Sequence, residues 1–496
     1  MQLKTQTIEK ITRVATIATL CFIVCCGLAM VVAEIKPFWV DEWRVVYNLK
    51  FKTAAQLWGP MDFMQQFPRV YLTLVKWFTS AFDYSYFSLR FPAWLAGVGA
   101  LLLSYKMMHR LFAKECWYRY LFVMIIVSSY TFTEYYVQTK HYTMDILLSV
   151  AALWQLTELM KVQERGMKMA QYMLLCGSFV VFPFFSYTYP VAIAPVFAVI
   201  FLRSVLPGGR QRLLMTWLPL MLSAISIGIF YVVDVKQLMA DKGMQAWWGH
   251  LMMAKGFSLY DFCYNLFNLF AETGSGLLFW ILFGIVGLAG LCYGIYTSAV
   301  HLRKGYDSRE SIVLYSTVLI VLVLVLGVAG KLPVGEPRLN AFVIPSIAIL
   351  MITVFDKLIN TRWGKVAAVL PVLFYAGVTG NIYTTAINTV ASPVVAKRLQ
   401  TYKATESALA IAEAGKLPIL ITPGVAFPYD TTQNLPFYNT VPGDWVIKTF
   451  PGYKVGAALP VVGINDTSEW PKAIMQMSAT SAMAGDGLHY RIVRRP

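Results

Sequence analysis

Charged residues are scarce in this chain of 496 residues, at 14% of the sequence. Soluble globular proteins carry about a quarter charged residues, so this composition excludes an ordinary soluble domain. The seven cysteines show neither a paired framework nor metal-ligand spacing. The five histidines never pair at the spacing of zinc ligands. No fixed-period repeat and no low-complexity segment occurs, so the apolar residues carry most of the structural information.

Apolar residues make up 57% of the chain, and several runs reach the roughly 20 residues that cross a bilayer as a helix. The first run is followed by no convincing small-residue cleavage site, so we predict a retained helix and not a removed signal peptide. We predict a mostly α, polytopic membrane protein with about eleven transmembrane helices, at 11–33, 89–108, 118–134, 143–161, 169–186, 189–204, 213–233, 276–298, 311–330, 340–356 and 365–383.

The net charge of +16 comes from short basic clusters between the apolar runs. These clusters are not patches with interleaved aromatics, so no nucleic acid is predicted; they set topology and attract anionic lipid. Six clusters, beginning with Lys4, Lys10 and Arg13, fall on one side of the predicted spans, which should be the cytoplasm. The N-terminus is then cytoplasmic. A bacterial inner membrane is favoured, because the exterior tail has no disulfide pattern.

Two domains are predicted. Residues 1–384 form the membrane domain, with a long exterior first loop (34–88) that contains an amphipathic, interfacial helix at 67–78. Residues 385–496 are more polar and predict a small extracytoplasmic α/β domain. Its predicted elements are a helix at 403–414 and strands at 417–422, 445–450, 459–464 and 489–493.

Two adjacent carboxylates, Asp41 and Glu42, follow the first span, with Trp39 and Trp43 on either side. Tryptophan is typical of the membrane–water boundary, and a carboxylate at that depth is costly enough to suggest a function. It could act as a general base on an acceptor hydroxyl. The alternative is a helix N-cap or an ordinary loop charge.

Cationic residues recur on the same predicted side. Lys140 and His141 stand at the outer mouth of the fourth span, and Arg338 with Glu336 lies in a short loop containing proline and glycine. These groups could stabilise charge on a phosphate. The alternatives are a snorkelling lysine and a structural ion pair. The neighbouring side chains that could contact a sugar or lipid are Tyr136, Gln138 and Tyr142.

The glycines are interpreted as packing positions. Gly97-Val-Gly99 lies inside an apolar span and lacks a third glycine, so it is not a nucleotide-binding loop. Gly284, Gly287 and Gly290 recur on one helical face and predict a close helix–helix contact.

Over residues 10–385 the order and sidedness of these motifs resemble the GT-C class of integral-membrane glycosyltransferases, in particular the protein O-mannosyltransferase and aminoarabinose-transferase-like branch. No single motif is specific. The resemblance is carried by Asp41-Glu42, Pro68-Arg-Val-Tyr71, Arg90-Phe-Pro92, Lys140-His-Tyr-Thr-Met-Asp145 and Pro333-Val-Gly-Glu-Pro-Arg338 before Pro345.

The resemblance implies inverting transfer of a sugar from a polyprenyl-phosphate donor, with Asp41 as catalytic base and Glu42 helping to position the acceptor or the loop. Lys140 and Arg338 would hold the donor phosphate. Arg69 and His141 are secondary phosphate candidates, and the substrate-binding candidates are Tyr136, Gln138, Tyr142 and Glu336. Many relatives carry arginine at the position of Lys140 and Gly-Glu-Arg in the loop that here reads Glu-Pro-Arg, which weakens the phosphate assignment.

No cofactor is expected with a monophosphate donor, although oligosaccharide-transferring relatives use a metal, which leaves a divalent cation open. The acceptor is a lipid, a polysaccharide or a protein hydroxyl. Two other functions stay open: a transporter or flippase for lipid-linked sugars, and a non-catalytic partner in envelope-polysaccharide assembly. Transporters tend to show internal repeats and charges at mid-membrane. In this chain no repeat is visible and the ionisable residues gather at one rim of the membrane, which favours the enzyme.

Overall fold

The computed structural model describes residues 2–32, 40–61, 65–205, 212–240, 249, 252, 258–271, 277–304, 307–362, 364–391 and five strands between 419 and 494. The chain packs as two compact units, Met1–Val32 with Thr53–Ala386 and Ala33–Lys52 with Ile387–Pro496. The predicted boundary between residues 384 and 385 stays a prediction.

The described part of the chain is mainly helical. In chain order its α-helices are α1 (Gln2–Val32), α2 (Val40–Phe51), α3 (Arg69–Ala81), α4 (Tyr86–Leu111), α5 (Leu121–Ser128), α6 (Tyr130–Tyr135), α7 (Tyr142–Arg165), α8 (Met169–Val181), α9 (Tyr189–Val205), α10 (Leu213–Phe230), α11 (Lys236–Ala240), α12 (Leu259–Ala271), α13 (Leu277–Lys304), α14 (Ser308–Val328), α15 (Ile344–Ile359), α16 (Gly364–Ala367) and α17 (Val369–Ala391). Short 3₁₀ turns lie at Gln56–Trp58, Trp117–Tyr120, Phe182–Phe185 and Pro337–Val343, and a π-turn lies at Tyr231–Val235.

Among the described residues, six helical stretches are long and apolar enough to cross a bilayer: Gln6–Val32, Tyr86–Leu111, Leu213–Met239, Phe279–His301, Ser308–Val328 and Pro337–Ile359. Three shorter apolar stretches are Trp117–Ser128, Met169–Phe185 and Tyr189–Val205. These helices support a mostly helical integral membrane protein. The finer count of eleven spans stays a prediction.

The predicted span at 118–134 is not one continuous helix. Ser129 adopts an extended conformation, with φ −62° and ψ 137°, between α5 and α6. Its hydroxyl accepts a hydrogen bond from the backbone N–H of Phe132 at 3.3 Å. Serine is favoured at helix N-caps because its oxygen satisfies a backbone donor that the helix leaves free. A cap in mid-run therefore starts a new helix at Tyr130.

Helix α7 lies inside the first unit, where it packs against α4, α9 and α10. Its buried polar side chains bond to neighbouring segments. The amide of Gln155 donates to Ser178 of α8 at 2.9 Å and accepts from the hydroxyl of Tyr189 of α9 at 2.7 Å. Such bonds hold helices together where little water competes for them. These bonds therefore tie the middle of α7 to α8 and α9.

The expected close contact of the glycine face is confirmed. A Cβ at Gly284 or Gly287 would overlap a phenylalanine ring of α12, Phe267 or Phe270. A Cβ at Gly290 would lie 2.9 Å from the backbone carbonyl of Leu350 in α15. Gly97 is likewise a packing position, because a Cβ there would lie 3.2 Å from the Cβ of Tyr136.

The second unit contains α2 and a five-stranded mixed sheet of order β2-β1-β3-β5-β4. Strands β1 and β3 are parallel, with Leu420 opposite Val461, and the other pairs are antiparallel. The strands are β1 (Ile419–Ile421), β2 (Val446–Lys448), β3 (Leu459–Val462), β4 (Ser478–Met483) and β5 (His489–Arg494).

Four of these strands fall on the segments predicted as strands, and β4 was not predicted. Its sequence Ser-Ala-Thr-Ser-Ala-Met has a single β-branched residue, so little in it favours a strand. The predicted helix at 403–414 lies outside the described residues. The α/β class of this domain therefore stays a prediction.

The contact between α13 and α15 gives a stability prediction. Gly290→Ala should destabilise the protein by about 1–3 kcal/mol, because the new methyl group meets backbone that cannot rotate away. Gly380→Ala in α17 is the matched control: a Cβ there meets nothing within 4 Å, and alanine should be neutral or stabilising by about 0.5–1 kcal/mol. Thermal unfolding in detergent measures both. Equal melting temperatures for the two variants would contradict this account of the contact.

Candidate active site

The cationic side chain at the start of α7 is buried and held in place. Lys140 is only 3% exposed. Its Nζ donates to Gln65 Oε1 at 3.0 Å and lies 5.6 Å from the centroid of the Phe67 ring. A snorkelling lysine keeps its ammonium in water, so that alternative does not describe Lys140. An amide and an aromatic face instead fix the position of its charge.

The neighbouring imidazole of His141 is also buried. Its ring packs edge-on against Phe67, with centroids 4.7 Å apart, and Nε2 lies 3.8 Å from Oδ2 of Asp145. Burial lowers the pKa of His141 to about 3, and the charge of Lys140 acts in the same direction. Nδ1 is buried with no hydrogen-bond partner among the described residues. His141 is therefore neutral near pH 7 and offers a hydrogen bond, not a charge.

Asp145, in the first turn of α7, connects this helix to α9. Its carboxylate accepts a hydrogen bond from the hydroxyl of Ser186. The same hydroxyl oxygen accepts from the backbone N–H groups of Thr188 and Tyr189 at 3.1 Å. The first turns of α7 and α9 are thus joined by one serine.

Arg338 and Glu336 form an ion pair at the loop before the 3₁₀ turn Pro337–Val343. Nε of Arg338 lies 2.8 Å from Oε1 of Glu336. The loop is shaped by Asn340, whose Nδ2 lies within hydrogen-bond distance of the carbonyls of Pro333, Val334 and Glu336, at 2.8, 3.1 and 2.9 Å. The pair is one-fifth exposed, so a ligand could still reach it.

Aromatic side chains connect the arginine to the start of α7. The hydroxyl of Tyr135 bonds to Arg338; burial raises the pKa of Tyr135, and the arginine charge opposes that shift. The Tyr135 ring packs edge-on against Tyr142, with centroids 4.8 Å apart, and Tyr142 lies 4.9 Å from the His141 ring. Lys140, His141, Tyr142 and Arg338 therefore belong to one contiguous cluster in the first unit.

Two other candidates have different surroundings. Tyr136 stacks on Phe132 at 5.4 Å between centroids, and its hydroxyl donates to the carbonyl of Ile23 in α1 at 3.4 Å. Tyr136 therefore contributes to helix packing, and its assignment to substrate stays a prediction. Gln138 is buried and donates to Oε1 of Glu134 at 2.6 Å.

Arg69, the first residue of α3, is bound to a carboxylate that the sequence interpretation missed. Its backbone N–H donates to Oδ2 of Asp234 at 2.8 Å, and its Nε lies 3.6 Å from Oδ1. Tyr187, also missed, places its hydroxyl 2.7 Å from Oδ1 of Asp234 and 2.8 Å from the carbonyl of Phe67. In the sequence, Asp234 could have been found as a lone carboxylate directly after the predicted span 213–233. Tyr187 could have been found from its place in a short aromatic turn.

The two carboxylates after the first span lie in the second unit. Asp41 and Glu42 occupy the first turn of α2, where negative charge stabilises the exposed N–H groups and positive end of the helix dipole. Asp41 is half-buried and Glu42 is buried. This arrangement fits the helix-end alternative, and the role of Asp41 as base stays a prediction.

Ion pairs elsewhere in the first unit join the helix ends that carry predicted cytoplasmic clusters. Arg119 pairs with Glu9 at 2.6 Å, and Arg203 pairs with Glu164 at 3.0 Å. Further pairs are Arg110–Glu158 and Arg309–Asp356.

Within the described ranges, no group of three or more histidine, cysteine or acidic residues is arranged to hold a metal ion.

Comparisons with known proteins give a distant structural likeness. No protein-family model matches the chain, and no curated protein matches it. The chain is similar to the crystal structure of ArnT from Cupriavidus metallidurans bound to undecaprenyl phosphate, with 12% identity and a TM-score of 0.47 over 83% of this chain and 84% of that chain. For ArnT in the apo state the values are 13% identity and a TM-score of 0.43 over 84% of this chain and 83% of that chain.

The environment of His141 predicts a pH dependence of stability. The pKa of His141 is lowered from 6.5 to about 3 in the folded protein. As the pH falls below about 6.5, the imidazole therefore binds a proton in the unfolded chain but not in the folded chain. The contribution is therefore intact above about pH 6.5 and is lost progressively toward pH 3. Between pH 6 and 4 the unfolding free energy of wild type should fall more steeply than that of His141→Asn, by up to about 1.4 kcal/mol per pH unit. Parallel pH profiles for the two proteins would refute the buried, neutral imidazole.

Proposed function

We propose that this protein transfers a sugar from a polyprenyl-phosphate donor to an acceptor hydroxyl at the extracytoplasmic face of the membrane. The observation that carries the proposal is the buried ammonium of Lys140, oriented by Gln65 and Phe67 beside the neutral His141. A fixed cation in a water-poor place stabilises a phosphate more strongly than one in water. The surrounding tyrosine and phenylalanine rings suit both a sugar face and a lipid chain.

In this proposal, Lys140 and Arg338 bind the donor phosphate. Arg338 is oriented by Glu336 and Tyr135. His141 donates or accepts a hydrogen bond without adding charge, and Arg69 supplies positive charge at the start of α3. Tyr142, Gln138 and Glu336 line the substrate site. Negative charge that develops on the departing phosphate would be stabilised by these cations, whose positions are already fixed.

The chemical step is a displacement at the anomeric carbon. Asp41 takes the proton of the acceptor hydroxyl as its oxygen attacks that carbon. The bond from carbon to the phosphate oxygen breaks, and polyprenyl phosphate leaves with the bonding electrons. Attack opposite the leaving group inverts the configuration, and Glu42 helps to position the acceptor. The step as written uses no metal. Whether a divalent cation assists it is an open question.

We place the protein in the inner membrane of a bacterium, with its N-terminus in the cytoplasm and its active site and C-terminal domain outside. The location of six basic clusters on one side of the predicted spans supports this orientation. The acceptor is a lipid, a polysaccharide or a protein hydroxyl. A flippase for lipid-linked sugars and a non-catalytic assembly partner are the alternatives that the following experiments separate.

Asp41→Asn should abolish turnover while leaving the fold intact. Purified protein in nanodiscs is given a panel of polyprenyl-phosphate sugars, and release of free polyprenyl phosphate is measured. Loss of the general base should lower the rate by about 10²–10⁴-fold, because a neutral amide cannot take the acceptor's proton. A non-catalytic assembly partner would release no polyprenyl phosphate in either form. No release by wild type across a panel on which a control enzyme works would refute the proposal and direct attention to lipid flipping in proteoliposomes.

Lys140→Met should weaken donor binding and turnover together, by about 10²–10³-fold in kcat/KM, since the phosphate loses a buried cation. Lys331→Met is the matched control, because Lys331 is an exposed lysine in the loop that leads to Arg338. It should retain activity within a factor of about two, as expected of an exposed charge largely screened by salt. Equal losses in both variants would mean that general positive charge, and not the buried site, binds the donor.

A further inference from the structure

Asp234 is turned toward the protein interior by a local change of helix geometry. It lies in the π-turn Tyr231–Val235 that follows α10. Its side chain is 2% exposed, whereas Tyr231, Val232 and Val233 are 52%, 63% and 37% exposed. A π-turn accommodates an extra residue and often occurs at functional sites. Here it directs a carboxylate inward, whereas the three residues before it in the turn face outward.

The carboxylate of Asp234 caps α3 from 165 residues away in sequence. The residue before α3 is Pro68, which forms no side-chain cap. Oδ2 of Asp234 instead accepts the first backbone N–H of the helix, from Arg69, at 2.8 Å. Oδ1 accepts a hydrogen bond from Tyr187 at 2.7 Å and lies 3.6 Å from Nε of Arg69. A negative group at a helix start is favourable, so α3 begins where Asp234 holds it.

Capping alone does not explain a buried ion pair at this position. Replacing a buried carboxylate–guanidinium pair by apolar side chains is often neutral or stabilising, because both charges lose their water. The carboxylate also lies at the end of a helix apolar enough to span a membrane, where an ionisable residue is a functional candidate by default. The reason for keeping Asp234 is then to be sought in what it positions.

The residues just before α3, Gln65–Arg69, connect Asp234 to the phosphate candidate. At one end of this segment, Arg69 binds Asp234. In the middle, the carbonyl of Phe67 and Oδ1 of Asp234 share the single hydroxyl proton of Tyr187. At the other end, Gln65 accepts from Lys140, and the Phe67 ring faces both Lys140 and His141. A shift of the segment would move the groups that orient the ammonium.

We propose that Asp234 is a positioning residue for the donor phosphate: it fixes the Gln65–Arg69 segment and, through Gln65 and Phe67, the ammonium of Lys140. The proposal rests on the proposed function. It assigns Asp234 a role in binding strength, with no contact to substrate. A residue that served only the fold would change stability and leave the affinity of the folded protein unchanged.

The test is equilibrium binding of polyprenyl phosphate to the full-length protein in nanodiscs. Asp234→Asn keeps the size and one acceptor oxygen but removes the charge. We expect about tenfold weaker binding by the correctly folded variant, in the range of coupling between neighbouring sites. Glu158→Gln is the matched control, because Glu158 is another buried carboxylate paired with an arginine, Arg110, among the predicted cytoplasmic ends. Its affinity should equal that of wild type.

A double-mutant cycle separates the route through the segment from a general effect. If Asp234 acts through Gln65, the affinity loss of Asp234→Asn with Gln65→Ala is smaller than the product of the two single losses. Tyr187→Phe gives a second approach should Asp234→Asn fail to fold, since it removes only the hydroxyl and keeps the ring. That variant should also bind polyprenyl phosphate more weakly when the affinity of the folded protein is measured.

The outcomes distinguish this proposal from the function on which it rests. Wild-type affinity in folded Asp234→Asn or Tyr187→Phe, while Lys140→Met loses binding, overturns the positioning role alone. Independent, multiplicative losses in the cycle overturn it as well. If wild type itself does not bind polyprenyl phosphate, both the proposed function and the positioning role fall.

Discussion

Charge buried in an apolar helix bundle is the constraint on which the rest of this structure depends. Moving an ion out of water costs several kcal/mol even after the protein relaxes. Each buried charge therefore needs partner groups that offset this cost. The first unit meets this need in two ways. The predicted cytoplasmic helix ends use arginine–carboxylate pairs such as Arg119 with Glu9. Around Lys140, the amide of Gln65 and the ring of Phe67 are among the groups that contact the ammonium.

The starts of two helices, α7 and α3, hold part of the candidate site. Helix α7 is fixed along its length by polar bonds to neighbouring helices, such as that between Gln155 and Tyr189. Its first turn is tied to α9 through Asp145 and Ser186. The start of α3 is tied to Asp234 in the same manner, with donors of one segment satisfied by a carboxylate of another. A site on such elements can hold a phosphate without first ordering the chain around it.

The sequence predicted what depends on local pattern. Apolar runs located most helices, and glycine spacing located the α13 contact. It could not predict Ser129, because a capping serine and a buried serine look alike in an apolar run. It could not pair Asp234 with Arg69 either, since no local pattern links residues 165 positions apart.

In the proposed mechanism, the donor phosphate binds at the start of α7. A cryo-EM structure of the protein in nanodiscs, with a non-hydrolysable polyprenyl-phosphate sugar analogue, tests it most directly. We predict density for the phosphate within about 3 Å of Nζ of Lys140, the distance of a charge-assisted hydrogen bond. A phosphate seated instead at the predicted cytoplasmic ends, near Arg110 or Arg203, would contradict it.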